Sequence, residues 1–285
     1  MGDTSPKPRD PVRPLVTTRP SEHGADWSLQ ARRRVLRLCV TFCAAIVAGL
    51  AGPKARRAGA AGAPVMVDTA IILAADVSRS IDDEEFALQR RGYVDAIQSQ
   101  QFIDAISTGP HGAIALAYVE WAGDGEERLV VDWGVIRNQA DAGAFVAAMA
   151  AAPRSYIGRT AIGTAIDFSF ALFAEAAFET SRRVIDVSGD GTSNQGHLVT
   201  EARDAAVGAG AVINGLAIFN KKAAAMGGYL AMHTNPPGGL AKYYRENVIG
   251  GPGAFVVQID DFNTFGEAMV RKLVTEVAYA GQRGG

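Results

Sequence analysis

The 285-residue sequence predicts an α/β fold: a doubly wound, mainly parallel sheet with one antiparallel edge strand and helices on both faces. Three observations predict it. Short apolar runs rich in branched residues, at 69–75, 113–121, 182–188, 211–219 and 254–259, have the length and composition of buried strands. Stretches of helical spacing separate them, in the order β-α-β-β-α-α-β-α-β-α-β-α that a doubly wound sheet requires. Gly123-Asp124-Gly125, standing before the strand-like run 127–133, signals a hairpin and hence one antiparallel edge strand.

Taken in order, residues 1–31 are rich in Pro, Arg and polar residues without apolar period, and read as a disordered leader. Arg32-Arg33-Arg34-Val35-Leu36-Arg37 then precedes an uncharged stretch from Leu38 to Gly52. This is a basic n-region and an h-region, shorter than the ~20 apolar residues of a spanning helix. Residues 32–63 therefore read as a signal peptide, similar to a twin-arginine export signal, with cleavage expected near residues 60–63. The alternatives are a general secretory signal or an uncleaved anchor with N-terminal membrane association; Lys54, Arg56 and Arg57 after the h-region weigh against cleavage. Residues 64–285 form the folded domain, with a periplasmic or cell-surface location expected. Both cysteines, Cys39 and Cys43, fall before residue 64, so that domain has neither a disulfide framework nor a thiolate metal site.

The run Thr69–Ala75 is the first strand and ends at Asp76. Residues 82–107 follow with mostly helical spacing, opened by an Asp82/Glu85 capping box. Ala113–Trp121 is a second buried strand, and Glu127–Trp133 its hairpin partner. Asn138–Ala152 is an Ala-rich helix stopped by Pro153. Residues 155–163 form a loop leading to a helix from Thr164 to about Ala177. Strand 182–188, helix 198–207 and strand 211–219 follow. Residues 220–240 read as irregular, with Gly227-Gly228 and Pro236-Pro237-Gly238-Gly239, and the Gly/Pro-rich segment 227–239 is either a partner-binding loop or a flexible connection. A short helix over 240–248, a last strand over 254–259 and a last helix over 262–280 complete the domain.

Charge narrows the functional classes. Residues 1–63 carry 11 Lys/Arg against 4 Asp/Glu, which leaves residues 64–285 with 17 against 26 and a net charge of −9. Nucleic acid as the main partner is thereby disfavoured, because phosphate binding needs a basic face.

The candidate site lies at Asp76-Val77-Ser78-Arg79-Ser80. An acid and two hydroxyls at alternate positions after a strand present hard oxygen ligands at the carboxyl edge of the sheet, where open α/β sheets bind ligands. Oxygen donors suit Mg²⁺, Ca²⁺ or Mn²⁺ rather than zinc or copper. The plainer alternative is a capped strand end with hydroxyls bonded to local backbone. Two further stretches favour the site: Thr160, after Gly158 at a loop-to-helix junction, and Asp190, directly after the strand 182–188.

The order D-x-S-x-S, then G-x-T-x-x-G, then an acid after a strand resembles the von Willebrand factor A-type (VWA) domain, over roughly residues 66–280, especially its uncharacterised bacterial members. The resemblance implies a VWA/Rossmann-like fold and a metal-ion-dependent adhesion site (MIDAS) formed by Asp76, Ser78, Ser80, Thr160 and Asp190. It implies a divalent cation, Mg²⁺ first with Mn²⁺ or Ca²⁺ as alternatives. It also implies an acidic side chain of a protein partner filling the open position, and no enzymatic activity. The chain has Arg79 where the family usually has glycine, and Ser-Gly-Asp-Gly instead of the commoner Thr-Asp-Gly. Arg79 and Arg159 are expected at the rim; either they attract an acidic ligand or, as the preferred expectation, they face solvent or pair with Asp82 or Asp83.

Other readings are weaker. Gly189-Asp190-Gly191 with Asn194 also resembles the last motif of Mg²⁺-dependent haloacid-dehalogenase-like phosphohydrolases. Those need a second aspartate two residues after the nucleophile, where Ser78 stands. A structural envelope domain with a vestigial metal site is the third class. No nucleotide-binding glycine motif or nucleophile elbow is present. His111, His197 and His233 lack ligand spacing and are expected to be surface or loop residues. Trp121 and Trp133 are expected as packing residues.

Overall fold

The computed structural model describes residues 64–281. The residues read as leader (1–31) and as signal peptide or anchor (32–63), with both cysteines, lie outside the described residues. Strands β1 (Val65–Met66), β2 (Thr69–Asp76), β3 (Ile114–Trp121), β4 (Glu127–Ile136), β5 (Phe178–Glu179), β6 (Arg183–Gly189), β7 (Ala211–Ile218) and β8 (Val256–Ile259) alternate with helices. The helices are α1 (Asp83–Ile97), α2 (Gln100–Ser107), α3 (Gln139–Ala151), α4 (Ile162–Leu172), α5 (Val199–Gly208), α6 (Lys221–Ala225), α7 (Gly228–Thr234), α8 (Leu240–Tyr243) and α9 (Phe265–Gly281).

Six strands form one sheet in the order β4-β3-β2-β6-β7-β8. All its pairings are parallel except β3 with β4, the expected hairpin at the edge, which Gly125 turns with φ 77°. Every residue of β2, β3 and β7 is buried, as continuous apolar runs require when helices cover both faces. Ile71 and Leu73 of β2 pack with α1, α2, α3 and α9 on one face; Ala74, Ile185 and Ile213 pack with α4, α5 and α8 on the other. From β2 the chain builds outward to β3 and β4, then crosses back to β6 on the opposite side of β2. The sheet reverses direction there, and the carboxyl ends of β2 and β6 flank the crevice where open α/β sheets bind ligands.

Local signals set most boundaries. The capping box is formed: Asp82 Oδ1 accepts from Glu85 N at 2.9 Å and Glu85 Oε2 from Asp82 N at 2.9 Å. Such caps contribute about 0.5–2 kcal/mol. Asn138 caps α3 by accepting from Ala140 and Asp141 N–H.

Four expectations are corrected. The stretch 82–107 is two helices, because Ser99 ends one and caps the next by accepting from Phe102 N. The helix expected from Thr164 to Ala177 begins at Ile162 and closes in a 3₁₀ turn, Phe173–Glu175. Phe178–Glu179 then pairs with Val65–Met66 in a small parallel ribbon too short to read from sequence. The irregular segment 220–240 contains α6 and α7, and the helix over 240–248 is one turn of α-helix followed by a π-helical turn, Tyr244–Val248. Among the described residues no helix is long and apolar enough to cross a membrane.

Candidate metal centre

The five expected side chains converge at the crevice. Asp76 closes β2, Asp190 follows β6, and Ser78 and Ser80 lie on the loop between β2 and α1. Thr160 arrives from the loop before α4, stapled to the loop after β6: its N–H donates to Asn194 Oδ1 at 3.1 Å, and its carbonyl accepts from Asn194 N at 2.8 Å. Ser78 Oγ lies 3.2 Å from Ser80 Oγ and accepts from Thr160 Oγ1 at 3.4 Å. Ser80 Oγ donates to Asp190 Oδ1 at 2.6 Å. Asp76, Ser78, Thr160 and Asp190 are almost wholly buried, and Ser80 is half-buried.

One atom of the cluster is unmatched. Asp76 Oδ1 accepts from Ser78 N at 2.7 Å, whereas Asp76 Oδ2 is buried with no hydrogen-bond partner among the described residues. Burial, and secondarily the nearby Asp190 charge, pushes the Asp76 carboxyl up to about 8. Burial likewise raises Asp190, to about 6, against the pull of Ser80 and Asn220. Two carboxylates enclosed together with hydroxyls and lacking a cation are costly to ionise. Hard oxygen donors with an orphaned carboxylate oxygen fit a divalent ion of the Mg²⁺ class. Among the described residues, no group of three or more His, Cys, Asp or Glu side chains could hold a metal; the cluster offers only two carboxylates, and the rest of its donors are hydroxyls.

Four surrounding residues were not legible in the sequence. Asn220, buried at the end of β7, donates to Asp190 Oδ2 at 2.7 Å and to the Ser80 carbonyl at 2.9 Å. Its other side-chain atom caps α6 by accepting from Ala223 N, so the N-cap pattern was its only visible signal. Arg154 Nη2 donates to the carbonyls of Val77, Ser78 and Ile81 at 2.8, 3.0 and 2.8 Å, clamping the first loop from outside. Tyr244, placed by the π-helical turn, has a buried hydroxyl without a hydrogen-bond partner among the described residues. A Cβ at Gly189 would meet both Tyr244 Oη, at 2.7 Å, and Asp76 Oδ2, at 2.9 Å, so only glycine keeps that space open. His233 is the fourth and a correction: it is buried, not a surface residue. Its Nε2 lies 3.2 Å from Thr160 Oγ1 and its Nδ1 3.2 Å from Thr192 Oγ1, and its ring fills the space beside Gly191. Burial lowers its imidazole below the usual range.

Beside the cluster opens a cleft of about 600 Å³, lined by Ser80, Thr160, Arg79, Arg159, Tyr229 and Leu230 among others. Both arginines are exposed, and neither pairs with Asp82 or Asp83: Asp82 is bound by Lys222 and Asp83 by Arg154. Trp121 is fully buried and Trp133 packs on Phe173 and Phe178, as expected of packing residues.

The family described as "Protein of unknown function (DUF1194)" matches residues 66–281. No curated protein matches the chain in sequence. Among solved structures the chain is similar to proximal thread matrix protein 1 from the mussel byssus, at 15% identity and TM-score 0.54, over 75% of this chain and 49% of that one. It is also similar to the pilus adhesin SpaC from Lactobacillus rhamnosus GG, at 12% identity and TM-score 0.52, over 76% of this chain and 31% of that one. The chain thus spans about half the length of the first and a third of the second, and at such identities the likeness is one of fold.

Proposed function

The chain belongs to the DUF1194 family, a VWA-like family, and from that premise we propose that it is an exported, non-enzymatic binding domain. It coordinates a divalent cation, Mg²⁺ first with Mn²⁺ or Ca²⁺ as alternatives, and through it an acidic side chain of a protein partner. Asp76, Ser78, Ser80, Thr160 and Asp190 would hold the ion. The observation that carries this reading is the partnerless, buried Asp76 Oδ2 within a cluster of oxygen donors. The cation would neutralise two carboxylates that the cluster otherwise makes costly to ionise. With few anionic ligands it stays electron-poor and attracts an outside carboxylate. A phosphohydrolase reading lacks a second acid, because Ser78 stands at that position. The basic and apolar regions within residues 32–63 support export to the periplasm or cell surface.

Thermal unfolding in EDTA, Mg²⁺, Mn²⁺ and Ca²⁺ tests the cation site. An ion at ~100 times its dissociation constant stabilises by about 2.7 kcal/mol, which for a domain of this size raises Tm by roughly 5–10 °C. The rise should vanish in Ser78→Ala and in Asp190→Ala. A wild type whose Tm ignores all three ions would make the cluster a structural relic.

A further inference from the structure

The cleft beside the cluster carries features that binding a single carboxylate does not require. The Arg79 amide donates to the Gly158 carbonyl at 3.0 Å, which brings the backbones of Arg79 and Arg159 alongside each other at the cleft mouth. Both side chains are exposed, and neither forms an ion pair or hydrogen bond with the described residues. The chain's own acids nearby are otherwise engaged. Glu126, packed against Gly158, accepts from the Gly123 amide at 2.9 Å; Asp82 and Asp83 are held by Lys222 and Arg154. Two unpaired guanidinium groups on one rim, in a domain of net charge −9, make a local field suited to an anion.

Another part of the cleft lining is apolar and braced. Tyr229 is 68% exposed, yet its ring stacks on His233 at 5.9 Å between centroids and 7° between planes. His233 is in turn bonded at Thr160 and Thr192. A rigid, exposed aromatic with Leu230 beside it can cover an apolar side chain at little entropic cost. Ile157, next to Gly158, adds a second exposed apolar group near the rim.

We propose that the partner's docking segment carries two acidic side chains and one bulky apolar side chain. One carboxylate reaches the cation, the second lies on Arg79 and Arg159, and the apolar side chain packs on Tyr229 and Leu230. This rests on the cation reading and adds to it the class of peptide selected.

The test uses an array of short immobilised peptides with one central Asp in a Gly/Ser background. A second Asp and a Leu are introduced at each flanking position, singly and together. The purified full chain is applied in Mg²⁺ and in EDTA. Peptides with two acids and a Leu should hold the chain about tenfold more tightly than single-Asp peptides, and only in Mg²⁺. Arg79→Ala with Arg159→Ala should abolish the preference for the second acid, and Tyr229→Ala the preference for Leu. Equal binding to all peptides, a preference that survives these substitutions, or no peptide bound by the Mg²⁺-loaded chain overturns the proposal. Mg²⁺ thermal stabilisation of the same sample separates the two levels. Stabilisation without peptide selectivity defeats this proposal alone, and absence of stabilisation defeats the cation reading with it.

Discussion

Lys272, Asp186 and Glu276 set three ionisable side chains, all fully buried, between the sheet and α9. Lys272 Nζ lies 2.5 Å from both Asp186 Oδ1 and Glu276 Oε1, and Asn214 donates to Glu276 at 2.8 Å. Burial raises Asp186 to about 7, outweighing the pull of Lys272. Burial opposes the Lys272 charge, but Asp186 and Glu276 more than offset it and raise its pKa. The sign for Asp186 follows from proton linkage. A carboxyl that binds its proton more tightly when folded makes stability fall as pH rises from its unfolded value of 3.8 to its folded value of about 7. Urea unfolding of the wild type and Asp186→Asn across that window should show a smaller decline in the variant. Asp76 and Asp190 titrate in both proteins, so the difference reports Asp186 together with its partners Lys272 and Glu276; parallel profiles would mean that Asp186 is not held protonated. The residue scale also explains why the triad escaped sequence reading. Lys272 and Glu276 have the i,i+4 spacing of an ordinary exposed helix pair, and nothing local marks them as facing the core.

At the scale of elements, α1 and α9 cross where both present glycine. A Cβ on Gly92 would meet the Phe265 ring at 2.5 Å and the Gly266 backbone at 2.9 Å. Glycine inside a helix costs about 1 kcal/mol relative to alanine, and here the close approach requires it. Gly92→Ala should therefore destabilise by about 1–3 kcal/mol through overpacking, despite the better helix former. Chemical denaturation gives the value, and a stabilised variant would show that the helices can separate freely. By contrast, α7 is bracketed by glycines with positive φ: Gly227 before it and Gly228 as its first residue, Gly238 and Gly239 after it, with φ between 60° and 86°. In sequence those glycines announce turns and hide the short helix between them. That helix carries Tyr229 and His233 to the cluster, so the apolar wall of the cleft was illegible, whereas the hydroxyl loops were not.

For the whole molecule, the proposed export rests on residues outside the described ones, and it has a direct check. Amino-terminal sequencing of the exported protein should find its start near residues 60–63, and a mature form that retains residue 40 would establish an anchor instead. Within the domain, the strands were legible because both faces of the sheet are covered, which forces continuous apolar runs onto β2, β3, β6 and β7. The hairpin was legible because its turn demands a particular residue chemistry at Gly123-Asp124-Gly125. The five oxygen donors were legible as motifs because strand ends and loops keep them at fixed spacing. By itself the sequence determined the layer architecture, the antiparallel edge and which donors stand at the carboxyl edge, all consequences of local spacing and apolar period. Only the tertiary structure decided that Asp76 Oδ2 lacks a partner among the described residues, that Asn220, Arg154 and His233 hold the donors from other elements, and that Arg79 and Arg159, unpaired among the described residues, line one cleft with Tyr229. These are relations between residues far apart in the chain, and it is the reversal of strand order beside β2 that brings them within bonding distance.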